Sequence, residues 1–98
     1  MDFSAGQLKE RLASGQAINM LDVREAIEFH TYNIGGANVP LSTLIADIEA
    51  VDYNKSDEIV VICKAGIRSK TAQAILKQNG FINVKNLSGG LLALQRLS

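Results

Sequence analysis

Apolar residues along the chain form short runs separated by segments in which they recur at helical spacing. Residues 58–63 are the strongest run, β-branched and apolar on both faces, as in a parallel strand that helices cover. Residues 17–23 predict a second buried strand, which Asp22 interrupts near its end, and residues 37–39 and 82–87 predict shorter extended segments. Strands that alternate with helices indicate an α/β fold with a mainly parallel sheet.

Helical spacing or a helix start signal marks the intervening segments. Ser4 and Gln7 fit a capping box, which predicts a first helix to about Ser14 with Gly15 as its stop. Residues 25–32 are weakly helical. The third helix is predicted from the apolar positions Leu44, Ile45, Ile48 and Val51. The fourth is predicted from Ala72, Ile75 and Leu76, and the last from Leu91, Leu94 and Leu97. Gly80 is expected to end the fourth helix, and Gly89 with Gly90 to open the last.

Size and charge narrow the class of protein. A chain of 98 residues has room for one compact domain with a single core. Ten basic and ten acidic residues leave no net charge, so neither nucleic acid nor a membrane surface is an expected partner. The longest apolar run, residues 59–63, is far shorter than the roughly 20 residues of a membrane helix. Residues 1–4 lack the pattern of a signal peptide, so we expect a cytoplasmic protein.

The segment most suggestive of chemistry is residues 63–69, between the strongest strand and the fourth helix. Open α/β sheets bind ligands at such strand ends, and amides that lead into a helix N-terminus converge to favour negative charge. There Cys63 would be held as a thiolate, helped by the nearby charges of Lys64 and Arg68. Gly66 would give the loop the conformational freedom to wrap around a sulfur atom.

A cysteine at a strand end is also common as an inert core residue. Cys63 is the only cysteine of the sequence, which excludes an internal disulfide, and one cysteine with one histidine cannot form a zinc site without several carboxylates. Two cations and a glycine within the next five residues favour a functional cysteine over the core interpretation.

Four segments, in this order and spacing, resemble the rhodanese family. They are residues 21–25, residues 28–29 with 34–41, residues 63–69 and residues 87–90. The resemblance implies a three-layer α/β domain with a central, mainly parallel five-stranded sheet flanked by helices. It covers nearly the whole chain, so residues 1–98 are interpreted as a single rhodanese domain.

The resemblance also implies sulfurtransferase activity through a Cys63 persulfide. The sulfur donor would be thiosulfate or another persulfide, and the acceptor would be cyanide or a thiol, including a thiol on a partner protein. No cofactor and no metal is implied. The residues expected to bind the substrate are Lys64, Ala65, Gly66, Ile67 and Arg68. Those expected to support the loop are Asp22, Arg24 and Ser69.

Two other functions stay open at this stage. A cysteine phosphatase is disfavoured because four residues separate Cys63 from Arg68, whereas a phosphatase loop of the Cys-x5-Arg kind has five. A non-catalytic interaction module, or a carrier that receives sulfur only from a partner protein, is the second alternative. Leu94 stands where the family often has a tryptophan, and Asn33 where a histidine is usual. His30, the only histidine, is expected at the surface.

Overall fold

A computed structural model describes residues 2–97 of the chain. Its sheet has four parallel strands, β1 (Asn19–Asp22), β2 (Ala37–Asn38), β3 (Glu58–Ile62) and β4 (Asn83–Asn86), in the spatial order β2-β1-β3-β4. The α-helices are α1 (Ala5–Ala13), α2 (Ala26–Thr31), α3 (Leu41–Ala46), α4 (Ile67–Gln78) and α5 (Gly90–Gln95), and a short 3-10 helix spans Ile48–Ala50. The predicted α/β class is therefore confirmed. Within residues 2–97, no helix has both the length and the apolar character needed to cross a membrane.

Strand β3 is central, as its apolar sequence predicted. It pairs with β1 on one side and β4 on the other, and residues 59–62 of the strand are all fully buried. The register aligns Leu21 with Val61 and Val61 with Asn86. Because parallel strands end at one edge of the sheet, Asp22, Ile62 and Asn86 all come to the edge where Cys63 follows β3.

Helices cover both faces of the sheet in three layers. Residues of α1 and α5 pack on one face in a cluster formed by Leu8, Met20, Val60, Ile62, Leu87 and Leu91. Residues of α3 and α4 pack on the other face, in a cluster that includes Val61, Leu76 and Cys63. Full burial of each large aliphatic side chain contributes about 1.5 to 3 kcal/mol, so the two clusters hold the strand ends rigidly beneath the loops.

The prediction of a fifth strand is wrong for the described residues. Only a single bridge, between Phe3 and Leu87, extends the sheet beyond β4. Ser4 closes the predicted capping box with Gln7 immediately afterwards, through hydrogen bonds of 2.8 and 3.1 Å. The capping box thus turns the chain into α1 directly after Ser4, so the strand does not continue beyond Phe3 in that direction.

The third helix is interrupted where periodicity predicted a continuous one. Helix α3 ends at Ala46, and the chain continues as the 3-10 helix after Asp47. Asp47 is extended, with φ −149°, and its side chain accepts a hydrogen bond of 3.1 Å from the Glu49 amide. A short acidic side chain that binds a nearby amide competes with helix continuation, which the spacing of apolar residues does not reveal.

The last helix is also shorter than its apolar pattern predicted. Helix α5 ends at Gln95, and Leu97 lies beyond it with 44% of its surface exposed. Its first residue, Gly90, has φ +61°, and a Cβ built there would lie 2.5 Å from the carbonyl oxygens of both Cys63 and Lys64. The backbone of α5 therefore approaches the loop after β3 more closely than any side chain would permit.

We expect Gly90→Ala to destabilise the fold more than Gly15→Ala. Both glycines have positive φ, but a Cβ at Gly15 meets nothing within 4 Å. The Gly15 change should cost about 1 to 2 kcal/mol for its backbone conformation alone. Overpacking should cost the Gly90 variant roughly 1 to 3 kcal/mol more. Urea denaturation of both variants measures the difference, and equal losses would contradict the close approach of α5.

Candidate active site

The Cys63 loop, residues 63–66, joins β3 directly to α4. It is shorter than the segment of residues 63–69 that the sequence placed between the strand and the helix, because α4 begins at Ile67 with Gly66 as its N-cap. Gly66 has φ +90°, a conformation that glycine adopts without strain. Ile67 and Arg68 thus belong to the first turn of the helix, and Ile67 is exposed.

The Cys63 sulfur receives hydrogen bonds from the end of this loop and from the first turn of α4. The Gly66 amide donates to Sγ at 3.0 Å and the Ser69 amide at 3.4 Å. The Ser69 hydroxyl lies 3.2 Å from the same sulfur. Only 1% of Cys63 is exposed, so these protein groups take the place of water around the sulfur. Ser69, predicted as a loop-supporting residue, is in direct contact with it.

These contacts lower the pKa of the Cys63 thiol below its ordinary value. Burial is the largest influence and raises the pKa, but the hydroxyl of Ser69 and the amides of Ser69, Gly66 and Ala65 together outweigh it. The direction is the one that the sequence predicted. The hydrogen bonds, however, rather than the neighbouring positive charges, are the main causes of the lowering. A thiolate is both the nucleophilic form and the metal-binding form of cysteine.

Asn86, at the end of β4, was not singled out in the sequence. It is buried, its Nδ2 group donates to the Gly66 carbonyl at 3.3 Å, and its Oδ1 accepts the hydroxyl proton of Ser69. An asparagine in a short extended segment carries no signal of its own. The pairing of β4 with β3 places Asn86 beside Val61 and so brings it next to the Cys63 loop.

Helix α5 holds the loop from the other side. The Leu91 amide donates to the Cys63 carbonyl at 2.9 Å, and the Leu92 amide donates to the Lys64 carbonyl at 3.0 Å. The first turn of a helix has amides without partners inside the helix, and here the loop supplies their acceptors. The segment 87–90 that resembled the rhodanese family thus forms the packing surface for the Cys63 loop.

Two open cavities flank the Cys63 loop. One, of about 430 Å³, lies between α2 and α5, and exposed Lys64 is at its edge. The other, of about 540 Å³, is lined by Ala65, Gly66 and Ile67 together with Asn86. Of the residues predicted to bind substrate, Lys64 lines the first cavity and residues 65–67 line the second, whereas Arg68 lines neither.

Arg68 points towards α2 and forms an ion pair with Glu28. Its Nη1 and Nη2 atoms lie 2.7 and 3.1 Å from the two carboxylate oxygens. The hydrogen bond from Arg68 is the main cause that lowers the pKa of Glu28 to about 2. The same carboxylate is the largest cause that raises the pKa of Arg68, and the Cys63 charge adds to it. The pair therefore joins α4 to α2.

Asp22 and Arg24 form a second, buried pair. Arg24 donates from Nε and Nη2 to the two carboxylate oxygens, at 2.9 and 2.8 Å, and from Nη2 to the Tyr32 carbonyl at 2.7 Å. The sequence predicted that this pair supports the Cys63 loop. The hydrogen bonds that Arg24 makes outside the pair go to the carbonyls of Glu28 in α2 and of Tyr32 after it, and the support of the loop stays a prediction.

The remaining positions singled out in the sequence lie outside this network. His30 is exposed, and Asn33 closes a turn by accepting from the Gly35 amide at 2.9 Å. Leu94, where a tryptophan is frequent in the family, is partly buried against the cluster of α1 and α5.

A family model supports the interpretation of this geometry. The model for the rhodanese-like domain matches residues 4–97. The chain belongs to the rhodanese-like domain family.

Three proteins similar to this rhodanese-like domain are named for sulfur transfer or sulfur carriage. A sulfurtransferase of Allochromatium vinosum is 30% identical over 95 residues, which cover 97% of this chain and 88% of that protein. The provisionally named sulfur carrier protein YrkF of Bacillus subtilis is 34% identical over 91 residues, covering 92% of this chain and 48% of that protein. The chain thus spans about half the length of YrkF. The human single-domain sulfurtransferase TSTD1 superimposes with a TM-score of 0.83 at 25% identity, covering 99% of this chain and 96% of that one.

Acid should weaken the connection between α2 and α4. Because the pKa of Glu28 in the folded domain is about 2, against an ordinary 4.5, the pair contributes stability above about pH 4.5 and loses it as the pH falls towards 2. The pair is partly exposed, so the loss should be about 1 kcal/mol or less. Unfolding free energies across this pH range measure it.

Glu28→Gln is the matched control for this titration. The variant has no carboxylate at this position, so its unfolding free energy should fall less steeply with acid than that of the wild type. Identical slopes in the two proteins would contradict a stabilising role for the ion pair.

Proposed function

We propose that this domain is a sulfurtransferase in which Cys63 carries sulfane sulfur as a persulfide. The observation that carries the proposal is the set of hydrogen bonds from Gly66 and Ser69 to a buried sulfur. The two backbone amides among these donors are fixed in place, so they stabilise negative charge on sulfur without reorganisation. The names of relatives as sulfurtransferases and as a sulfur carrier support the same class of reaction.

In the first step the Cys63 thiolate attacks the outer sulfur of thiosulfate. A new S–S bond forms to Cys63, the donor's own S–S bond breaks, and sulfite leaves with the bonding electron pair. The product is a Cys63 persulfide. With a persulfide donor the leaving group is a thiolate instead, and the electron balance is the same.

In the second step an acceptor attacks the outer sulfur of the persulfide. Cyanide would take it as thiocyanate, and a thiolate would take it as a new persulfide. The Cys63 thiolate is the leaving group in both cases. Because lower-pKa thiols leave faster, the groups that lower the pKa of Cys63 assist this step as well as the first.

Charged residues divide the remaining work in this proposal. Lys64 is exposed within the loop and would attract an anionic donor. Arg68 is engaged by Glu28, so we assign it first to holding α4 in place, with Asp22 and Arg24 supporting α2 behind it. The backbone of Ala65, Gly66 and Ile67 would enclose the transferred sulfur.

Thiosulfate should add the mass of one sulfur atom to the protein. Cyanide or dithiothreitol should remove the added mass, and Cys63→Ser should show none, because the chain has a single cysteine. Intact-protein mass spectrometry measures the adduct. Adduct formation from a small-molecule persulfide but not from thiosulfate would instead identify a carrier fed by a partner. Failure with both donors, or an adduct on Cys63→Ser, would contradict the proposal.

Lys64→Ala should weaken the use of thiosulfate. We expect KM to rise about threefold to tenfold, the effect of an exposed charge worth roughly 1 kcal/mol. Added salt should reproduce much of this rise in the wild type. Lys77→Ala is the matched control, because Lys77 is an exposed lysine in the last turn of α4. Equal kinetics for the two variants would show that Lys64 does not attract the donor.

A further inference from the structure

The hydroxyl group of Ser69 has two neighbours that can accept its single proton. One is the Cys63 sulfur, 3.2 Å away, and the other is Oδ1 of Asn86. All three residues are buried, each with at most 3% of its surface exposed. A buried polar atom that loses its partner carries a free-energy cost, so the two acceptors compete for one donor.

The orientation of the Asn86 amide is fixed by a second contact. Its Nδ2 group donates to the Gly66 carbonyl. A flipped amide would place Oδ1 against that carbonyl oxygen, so that two acceptors would face each other. Oδ1 therefore points at Ser69, and the donor of the Asn86 side chain is committed to the Cys63 loop.

We propose that Asn86 is a positioning residue that turns the Ser69 hydroxyl away from the sulfur while Cys63 is a neutral thiol, and gives up that hydroxyl when Cys63 becomes a thiolate. In the thiol form, Cys63 donates its own proton to the Ser69 oxygen, and Ser69 donates to Asn86. On ionisation the thiol proton leaves to solvent. Ser69 keeps its proton and rotates it to the sulfur, which leaves Oδ1 of Asn86 without its donor.

This competition predicts the direction in which the pKa of Cys63 changes when Asn86 is replaced. Asn86 stabilises the thiol relative to the thiolate, whereas Ser69 is among the groups that favour the thiolate. Removal of the Asn86 acceptor should therefore make Cys63 more acidic. A residue that merely held Ser69 in place near the sulfur would have the opposite effect, because its loss would weaken the hydrogen bond to the thiolate.

Charged groups around the site act on this titration too. Arg68 faces Cys63 from α4 and is paired with Glu28 of α2, and Lys64 lies in the loop. The carboxylate of Asp22, the last residue of β1, is paired with the guanidinium group of Arg24. Near Asn86 itself, the carboxylate of Asp2 accepts from the backbone amide of Asn86 at 3.4 Å and from the Gln73 side chain at 3.1 Å. None of these charges is altered by a neutral substitution at position 86.

The test is a double-mutant cycle read by the ultraviolet absorbance of the thiolate. A Cys63→Ser titration serves as the blank that removes the tyrosine signal, and the chain has no second cysteine. Asn86→Leu should lower the apparent pKa of Cys63 by about 0.5 to 1 unit, the equivalent of one hydrogen bond. In the Ser69→Ala background the same change should have no effect.

The cycle also separates the two contacts of Asn86. Loss of the bond to Gly66 would act equally in both backgrounds, so an equal shift in both would overturn the proposal. A raised pKa in Asn86→Leu would overturn it too. The consequence for sulfur transfer rests on the proposed function, but the titration measures the thiol itself, so the persulfide experiment can fail without affecting this result.

A measurement on the wild type covers the case in which Asn86→Leu does not fold. The side-chain amide signal of Asn86 in a nitrogen-proton NMR spectrum should shift with the same midpoint as Cys63 ionisation. The signal of Asn83, on the same strand but at its other end, serves as the control. In Ser69→Ala the shift at Asn86 should disappear. A shift that persists undiminished would show direct action of the thiolate charge and would overturn the role of Ser69.

Discussion

The loop that wraps around the Cys63 sulfur has backbone carbonyls that its own residues do not satisfy, and those carbonyls must find donors elsewhere. In this domain α5 supplies the donors for Cys63 and Lys64, and Asn86 supplies the donor for Gly66. The approach of α5 requires the absence of a side chain at Gly90. The hydrogen bonds around the sulfur thus depend on elements that lie far away in the sequence.

A second set of contacts fixes α2, which lines the cavity beside Lys64. The buried pair of Asp22 and Arg24 is weak evidence of stability, because desolvation offsets most of the attraction between two buried charges. Its geometric effect is clearer, since the guanidinium group of Arg24 also binds the Tyr32 carbonyl at the end of α2. With the helix held in this way, Glu28 meets Arg68 of α4, and the cavity beside Lys64 acquires its shape.

Features that depend on neighbours in sequence could be predicted, and those that depend on tertiary register could not. The β-branched run before Cys63 and the capping box at Ser4 are local, and the structure confirms both. The partners of Arg68 and Ser69 are Glu28 and Asn86, which lie 40 and 17 residues away in the chain. No local pattern marks either partner, and the role of Asp47 in breaking the third helix depends on a single side-chain contact that apolar spacing does not detect.

Opposing influences on Cys63 suit the two half-reactions that we propose for it. A thiol with a very low pKa is a good leaving group but a poor nucleophile, and the best attacking thiol has a pKa near the ambient pH. Burial raises the pKa of Cys63 while the loop amides and Ser69 lower it, and the acceptor on Asn86 opposes Ser69 in the proposed arrangement. Balance among these groups would keep the sulfur reactive in both half-reactions, which no single strong interaction could achieve.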